Sequence, residues 1–93
     1  GLTARLSRAA VSVAGNIAEG GGRHSLKDFR RFLYLARGSL SEVQYYLHLS
    51  KRLDYLLKKD QQEAKALCDE TGKILQGLIN SLTRQIKSGR KYN

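Results

Sequence analysis

Asn16-Ile17-Ala18-Glu19-Gly20-Gly21-Gly22-Arg23-His24-Ser25 runs without a break into Leu26-Lys27-Asp28-Phe29-Arg30-Arg31-Phe32-Leu33-Tyr34-Leu35-Ala36-Arg37-Gly38-Ser39-Leu40-Ser41-Glu42. The first part closes one helix, the glycines make a hinge, and the second part opens the longest helix of the chain. Glycine is expected to end the first helix because it accepts the left-handed conformation that helix ends need. Ser25 is suited to cap the second, with Asp28 in the reciprocal position of a capping box and favourable to the helix dipole. The rest of the chain must pack around this pair.

Upstream, Leu2, Leu6, Ala9, Ala10, Val13 and Ile17 recur at three and four, which predicts a helix over about 2–19. Downstream, Phe29, Phe32, Leu33, Ala36, Leu40, Val43 and Leu47 predict a second helix over about 26–57, and Leu35, Tyr46, Leu49 and Leu53 widen its apolar arc beyond what one neighbour covers. That second stripe predicts self-association. Lys58 and Lys59 suit the end of this helix, while Asp60 and Glu63 suggest a capping box for a third. The third runs over about 61–88 along Leu67, Thr71, Ile74, Leu75, Leu78, Leu82 and Ile86. Gly72 and Gly77 inside it cost helix stability, so each is expected to face a closely approaching backbone. Three helices with short connections predict an all-α, antiparallel up-down bundle.

The chain has 93 residues, no proline, methionine or tryptophan, and a net charge of +9 from 17 Lys and Arg against 8 Asp and Glu. That length supports one domain, 1–93, with a modest core. The absence of proline permits long helices. A start at Gly1 without methionine predicts a processed, tagged or shortened chain. A domain this basic attracts polyanions before any specific contact forms. Arg84, Lys87, Arg90 and Lys91 fall in the last ten residues with no acid among them, so 89–93 reads as a basic tail. One cysteine, Cys68, has no partner for a disulfide or a zinc site; it fits a reducing, cytoplasmic setting and a packing role. No apolar run approaches a membrane span, and none resembles a signal peptide.

Two segments carry a family resemblance. Asn16-Ile17-Ala18-Glu19-Gly20-Gly21-Gly22-Arg23 matches an N-I-A-E-G-x-G-R pattern, and Phe29 through Glu42 matches F-x-R-F-L-x-x-A-x-G-S-x-x-E. Both resemble the bacterial four-helix-bundle proteins encoded in intervening sequences of 23S ribosomal RNA genes. The resemblance implies a further helix upstream of Gly1, and therefore an exposed apolar groove in the three-helix remainder. It also implies a ring-like homo-oligomer, a pentamer. No catalytic activity comes with the family.

Asn16, Glu19, Arg31, Ser39 and Glu42 are the candidate polar constellation. Antiparallel packing of the first two helices brings Asn16 and Glu19 toward Arg31, either as a structural ion-pair network or as a site for a small polar ligand or phosphate. The glycine hinge ahead of Ser25 has the form of an anion site at a helix start, although a plain glycine stop and serine cap explains the same residues. Arg23, Lys27, Arg30 and Arg37, with Tyr34 and Tyr45 among them, and Arg84, Lys87, Arg90 and Lys91 near the C-terminus, are the candidate nucleic-acid-binding residues. No Glu-x-x-His pair supports a di-iron site, and His24 and His48 read as surface groups. No metal, cofactor or catalytic residue is expected.

Two functions fit. The first is a non-enzymatic module that binds structured, ribosomal RNA through basic surfaces repeated around an oligomer. The alternative is a protein-interaction scaffold that docks a nucleic-acid-processing enzyme, similar to the accessory proteins of diversity-generating retroelements.

Overall fold

A computed structural model describes residues 1–89. Among these residues the chain is all-helical and without strands: α1 spans Leu2–Gly21, α2 Leu26–Arg52 and α3 Lys58–Lys87. The predicted Arg90 and Lys91, with most of the basic tail, lie outside the described residues.

The joint between α1 and α2 keeps one predicted device and replaces another. The Asp28 amide donates to Ser25 Oγ at 3.0 Å, so the serine cap forms. Gly22, however, ends α1 with φ −88°, in the right-handed region, so left-handed freedom is not what the glycines provide. Gly20 has a different reason to lack a side chain. A Cβ there would sit 2.8 Å from Phe32 Cβ and 3.2 Å from the Phe29 carbonyl oxygen. The hinge glycine is a close-approach residue that lets α1 lie directly on α2.

α2 ends at Arg52 and not at Leu57, because Asp54 turns left-handed with φ 59°. The Asp54 amide then donates to the Lys51 carbonyl at 3.2 Å and the Tyr55 amide to the Ser50 carbonyl at 3.0 Å. This pair of bonds is the closure usually built around glycine. The chain reverses early, so α3 starts at Lys58 with Leu57 as its uncapped boundary residue. Asp60 therefore lies in the first turn, where it favours the dipole, and the expected Asp60 and Glu63 capping box is not used. Left-handed geometry strains a residue with a Cβ. Asp54→Gly should therefore raise the unfolding free energy by about 0.5–1 kcal/mol, read from urea melts of the two proteins.

Fixed contacts set the register. Ser12 Oγ meets Ser39 Oγ at 2.8 Å between α1 and α2. Arg30 reaches Thr83 and Gln61 reaches the Leu47 carbonyl between α2 and α3. Both pairs of helices are therefore antiparallel. α2 packs on both neighbours, whereas no backbone pair of α1 and α3 comes within 8 Å. The molecule is accordingly thin and long, 49 × 20 × 14 Å, with a radius of gyration of 15.2 Å, against about 12 Å for a compact chain of this length. Three helices make a shallow layer centred on α2, and the bundle is not closed.

One core runs through the layer: Ala9 and Val13 from α1, Leu26, Leu33, Ala36, Leu40, Val43 and Leu47 from α2, and Cys68, Leu75, Ile79 and Leu82 from α3. Leu33, Leu75 and Ile79 are the fully buried large side chains, each contributing about 1.5–3 kcal/mol by leaving water. The predicted α3 stripe is displaced. α3 turns the arc through Cys68, Leu75, Ile79 and Leu82 toward α2, which leaves Leu67, Ile74 and Leu78 exposed. The second stripe of α2 is likewise open at Leu35, with Leu53 exposed just past its end, and Tyr46 packs against the core. Gly77 meets no atom and Gly72 touches only the Leu40 side chain, so neither faces a neighbouring backbone as expected. No described helix is long and apolar enough to cross a membrane.

Candidate nucleic-acid interface

The hinge gathers charge but neutralises much of it internally. Arg23 Nη2 donates to Glu19 Oε1 at 2.6 Å, and its Nε lies 3.6 Å from Asp28 Oδ2. Arg31 Nε donates to Asp28 Oδ1 at 2.9 Å. Both guanidinium groups also sit over the Phe32 ring, at 4.6 Å for Arg23 and 4.4 Å for Arg31. Asp28 thus does two jobs, favouring the start of α2 and holding two arginines beside Phe32. An open depression of about 510 Å³ lies above them, lined by Arg23, His24, Ser25, Lys27, Asp28 and Arg31.

The five-residue polar network does not assemble. Arg31 pairs within its own helix, to Asp28. Asn16 Nδ2 donates to the carbonyl and hydroxyl oxygens of Ser12, and Ser12 in turn meets the buried Ser39. Glu19 pairs with Arg23. Glu42 lines a recess of about 300 Å³ with Arg5, Arg8, Ser12 and Tyr46. Asn16, Ser39 and Glu42 thus gather around Ser12, while Glu19 and Arg31 are engaged at the hinge, so the five do not form one site. Among the described residues no group of three or more His, Cys, Asp or Glu is placed to hold a metal ion.

A second arrangement emerges along the α2–α3 seam. Arg30 Nη1 donates to Thr83 Oγ1 at 3.1 Å, and one heptad on, Arg37 Nη1 donates to Gln76 Oε1 at 2.8 Å. Two arginines seven apart on α2 are met by two neutral polar residues seven apart on α3, in opposite chain directions. Neither arginine faces a carboxylate in these contacts, so both keep an uncompensated charge. Arg37 also covers the Tyr34 ring at 4.8 Å. Helical spacing puts Lys27 and Tyr34 on the same side of α2 as Arg30 and Arg37. It puts Lys73, Asn80 and Lys87 on the same side of α3 as Gln76 and Thr83, with Arg84 next to it. The α3 row carries no Asp or Glu from Lys73 to Lys87, and the next position before it is Asp69.

The structure thus joins Lys27, Arg30 and Arg37 to Arg84 and Lys87 from the far end of the sequence, while Arg23 is engaged at the hinge. Sequence reading did not find Gln76 and Thr83, because a neutral residue opposite an arginine has meaning only once the register is known. The arrangement can neutralise a row of phosphates and offer one aromatic face for stacking.

A thin, three-helix layer whose α2–α3 seam holds Arg30 and Arg37 on neutral partners defines the class: a basic α-helical bundle protein. The family model for 23S rRNA-intervening sequence protein matches residues 1–77, and the chain belongs to that family. No curated protein matches it.

Proposed function

We propose that the protein is a non-enzymatic module that binds structured RNA along the α2–α3 seam. The observation that carries this reading is the pairing of Arg30 and Arg37 with Thr83 and Gln76 in place of carboxylates. Arginines held by neutral partners are positioned without being neutralised, which suits them to phosphates. The family description names a 23S rRNA-intervening sequence, so structured ribosomal RNA is the first polyanion to offer. A mobility-shift assay with a structured ribosomal RNA fragment should give a discrete complex. A protein that instead retains one protein partner after nuclease treatment, and shifts no RNA, is the docking scaffold.

The finer reading of the fold is a four-helix unit that assembles into a ring of five copies. Exposed Leu67, Ile74 and Leu78 on α3 leave an apolar arc for a fourth helix, and Leu35 with Leu53 leaves another surface for a neighbouring copy. Repetition of the seam around such a ring strengthens weak phosphate contacts through effective concentration. Leu49 lies half-buried on the same α2 stripe. Leu49→Asp should lower the mass seen by light scattering while helicity is kept; an unchanged mass rules out this surface as the interface.

A further inference from the structure

Tyr34 lies on α2 one turn after Arg30 and one turn before Arg37, and it is held differently from the other exposed tyrosines. The Arg37 guanidinium covers its ring at 4.8 Å, while Arg37 Nη1 donates to Gln76 Oε1 at 2.8 Å. An arginine has only donors, so the oxygen of the Gln76 amide must face it and the nitrogen is left for another partner. That nitrogen donates to Asn80 Oδ1 at 3.0 Å. The stack on α2 is thus braced by two residues of α3. Tyr45, by contrast, meets Tyr46 edge-on at 5.6 Å, and among the described residues no arginine is stacked on Tyr45 or Tyr55.

Arg37 takes one face of the Tyr34 ring, and 43% of the residue remains in solvent, so the ring is accessible to a planar partner. A side chain ordered before binding does not lose that freedom on binding, which makes the contact tighter than one to a free tyrosine. The bond to Gln76 uses one of five guanidinium donors, and the others remain for a phosphate. Arg30 is held in the same manner, by Thr83 at 3.1 Å, and stands about 10 Å from Arg37 along the helix axis. A ring flanked by two cations matches a nucleotide, which is a flat base with a phosphate on either side. A bare row of phosphates would leave the ring unused.

We infer that the seam recognises an unpaired nucleotide within structured RNA, with its base stacked on Tyr34 and its flanking phosphates on Arg30 and Arg37. This rests on the RNA reading above and narrows it. A base inside a duplex is stacked on both neighbours and has no face to give, whereas a bulged or looped base has one. Every base has such a face, so stacking tolerates any sequence. The seam therefore selects that a base is unpaired and not which base it is.

The test is a mobility-shift titration of the full chain with three RNA hairpins: one with a single bulged nucleotide, one fully paired, and one whose bulged nucleotide lacks its base. The bulged hairpin should bind about tenfold tighter than the other two, whichever base is bulged. Tyr34→Ala should lower it to their level and leave their own affinity unchanged, while Tyr34→Phe should keep the difference. Tyr34 is exposed, so the melting temperature should change little in either variant. A fluorescent purine analogue at the bulge should be quenched by the parent protein and by Tyr34→Phe, and not by Tyr34→Ala. Equal binding of the three hairpins, or a preference that survives Tyr34→Ala, overturns this inference and leaves the RNA reading standing. Binding to none of the hairpins overturns both.

Discussion

Gly20→Ala is expected to destabilise the protein by about 1–3 kcal/mol, the usual cost of forcing a methyl group into a packed contact. Inside a helix, glycine to alanine normally stabilises by about 1 kcal/mol. Gly20 reverses that sign because the added Cβ would lie 2.8 Å from Phe32 Cβ and 3.2 Å from the Phe29 carbonyl. Neither atom is the free end of a flexible side chain, so α1 itself must lift away from α2. Gly77→Ala is the internal control. Its Cβ would meet nothing, so it should stabilise by about 1 kcal/mol. Urea unfolding of the two variants reads both signs, and a stabilising Gly20→Ala would contradict the α1–α2 packing described above.

Removal of charge from the seam should have the largest effect on binding. Lys27→Gln, Arg30→Gln and Arg84→Gln together delete three cations from the exposed side of α2 and α3, and every phosphate left without its cation lowers both the affinity and its salt dependence. A fall of about 100-fold in affinity for structured RNA is expected at moderate salt. Lys27 and Arg84 are exposed and Arg30 half-buried, with its bond going to Thr83, so the melting temperature should change little. Arg23 makes a useful contrast. Its guanidinium is already engaged by Glu19, Asp28 and Phe32, so Arg23→Gln should disturb the hinge more than it weakens RNA binding.

Local signals carried most of the fold. The periodicity of Leu6, Val13 and Ile17, and of Phe29, Leu33, Ala36 and Leu40, marks helix faces because the repeat is set by the backbone alone. Ser25 marks a helix start for the same reason, and its bond to the Asp28 amide is present. The end of α2 was not legible, since an aspartate at φ 59° does what glycine usually does, and no composition rule singles out Asp54. The rotation of α3 was hidden too. Leu67 and Leu75 are equally apolar in sequence, yet Leu67 is 64% exposed and Leu75 fully buried, because only packing chooses which arc faces α2.

The candidate site was half legible. Lys27, Arg30 and Arg37 stand out as basic residues on one helix, but the contribution of Arg84 and Lys87 depends on an antiparallel register that places Thr83 against Arg30. The same register explains the failure of the expected polar network. Ser12 opposite Ser39 fixes α1 on α2 in such a way that Asn16 turns back to Ser12 and Arg31 finds Asp28. Long-range pairing decides these partners, and spacing within one helix does not contain it.

The most direct test of the central claim is a salt titration of binding to structured ribosomal RNA and, in parallel, to random duplex DNA. A seam that neutralises about five phosphates gives a slope of about −4 in the plot of log affinity against log salt. RNA binding is predicted to persist at physiological salt and to exceed DNA binding there. Equal loss of both with rising salt would contradict the account and reduce the +9 charge to a general attraction for polyanions.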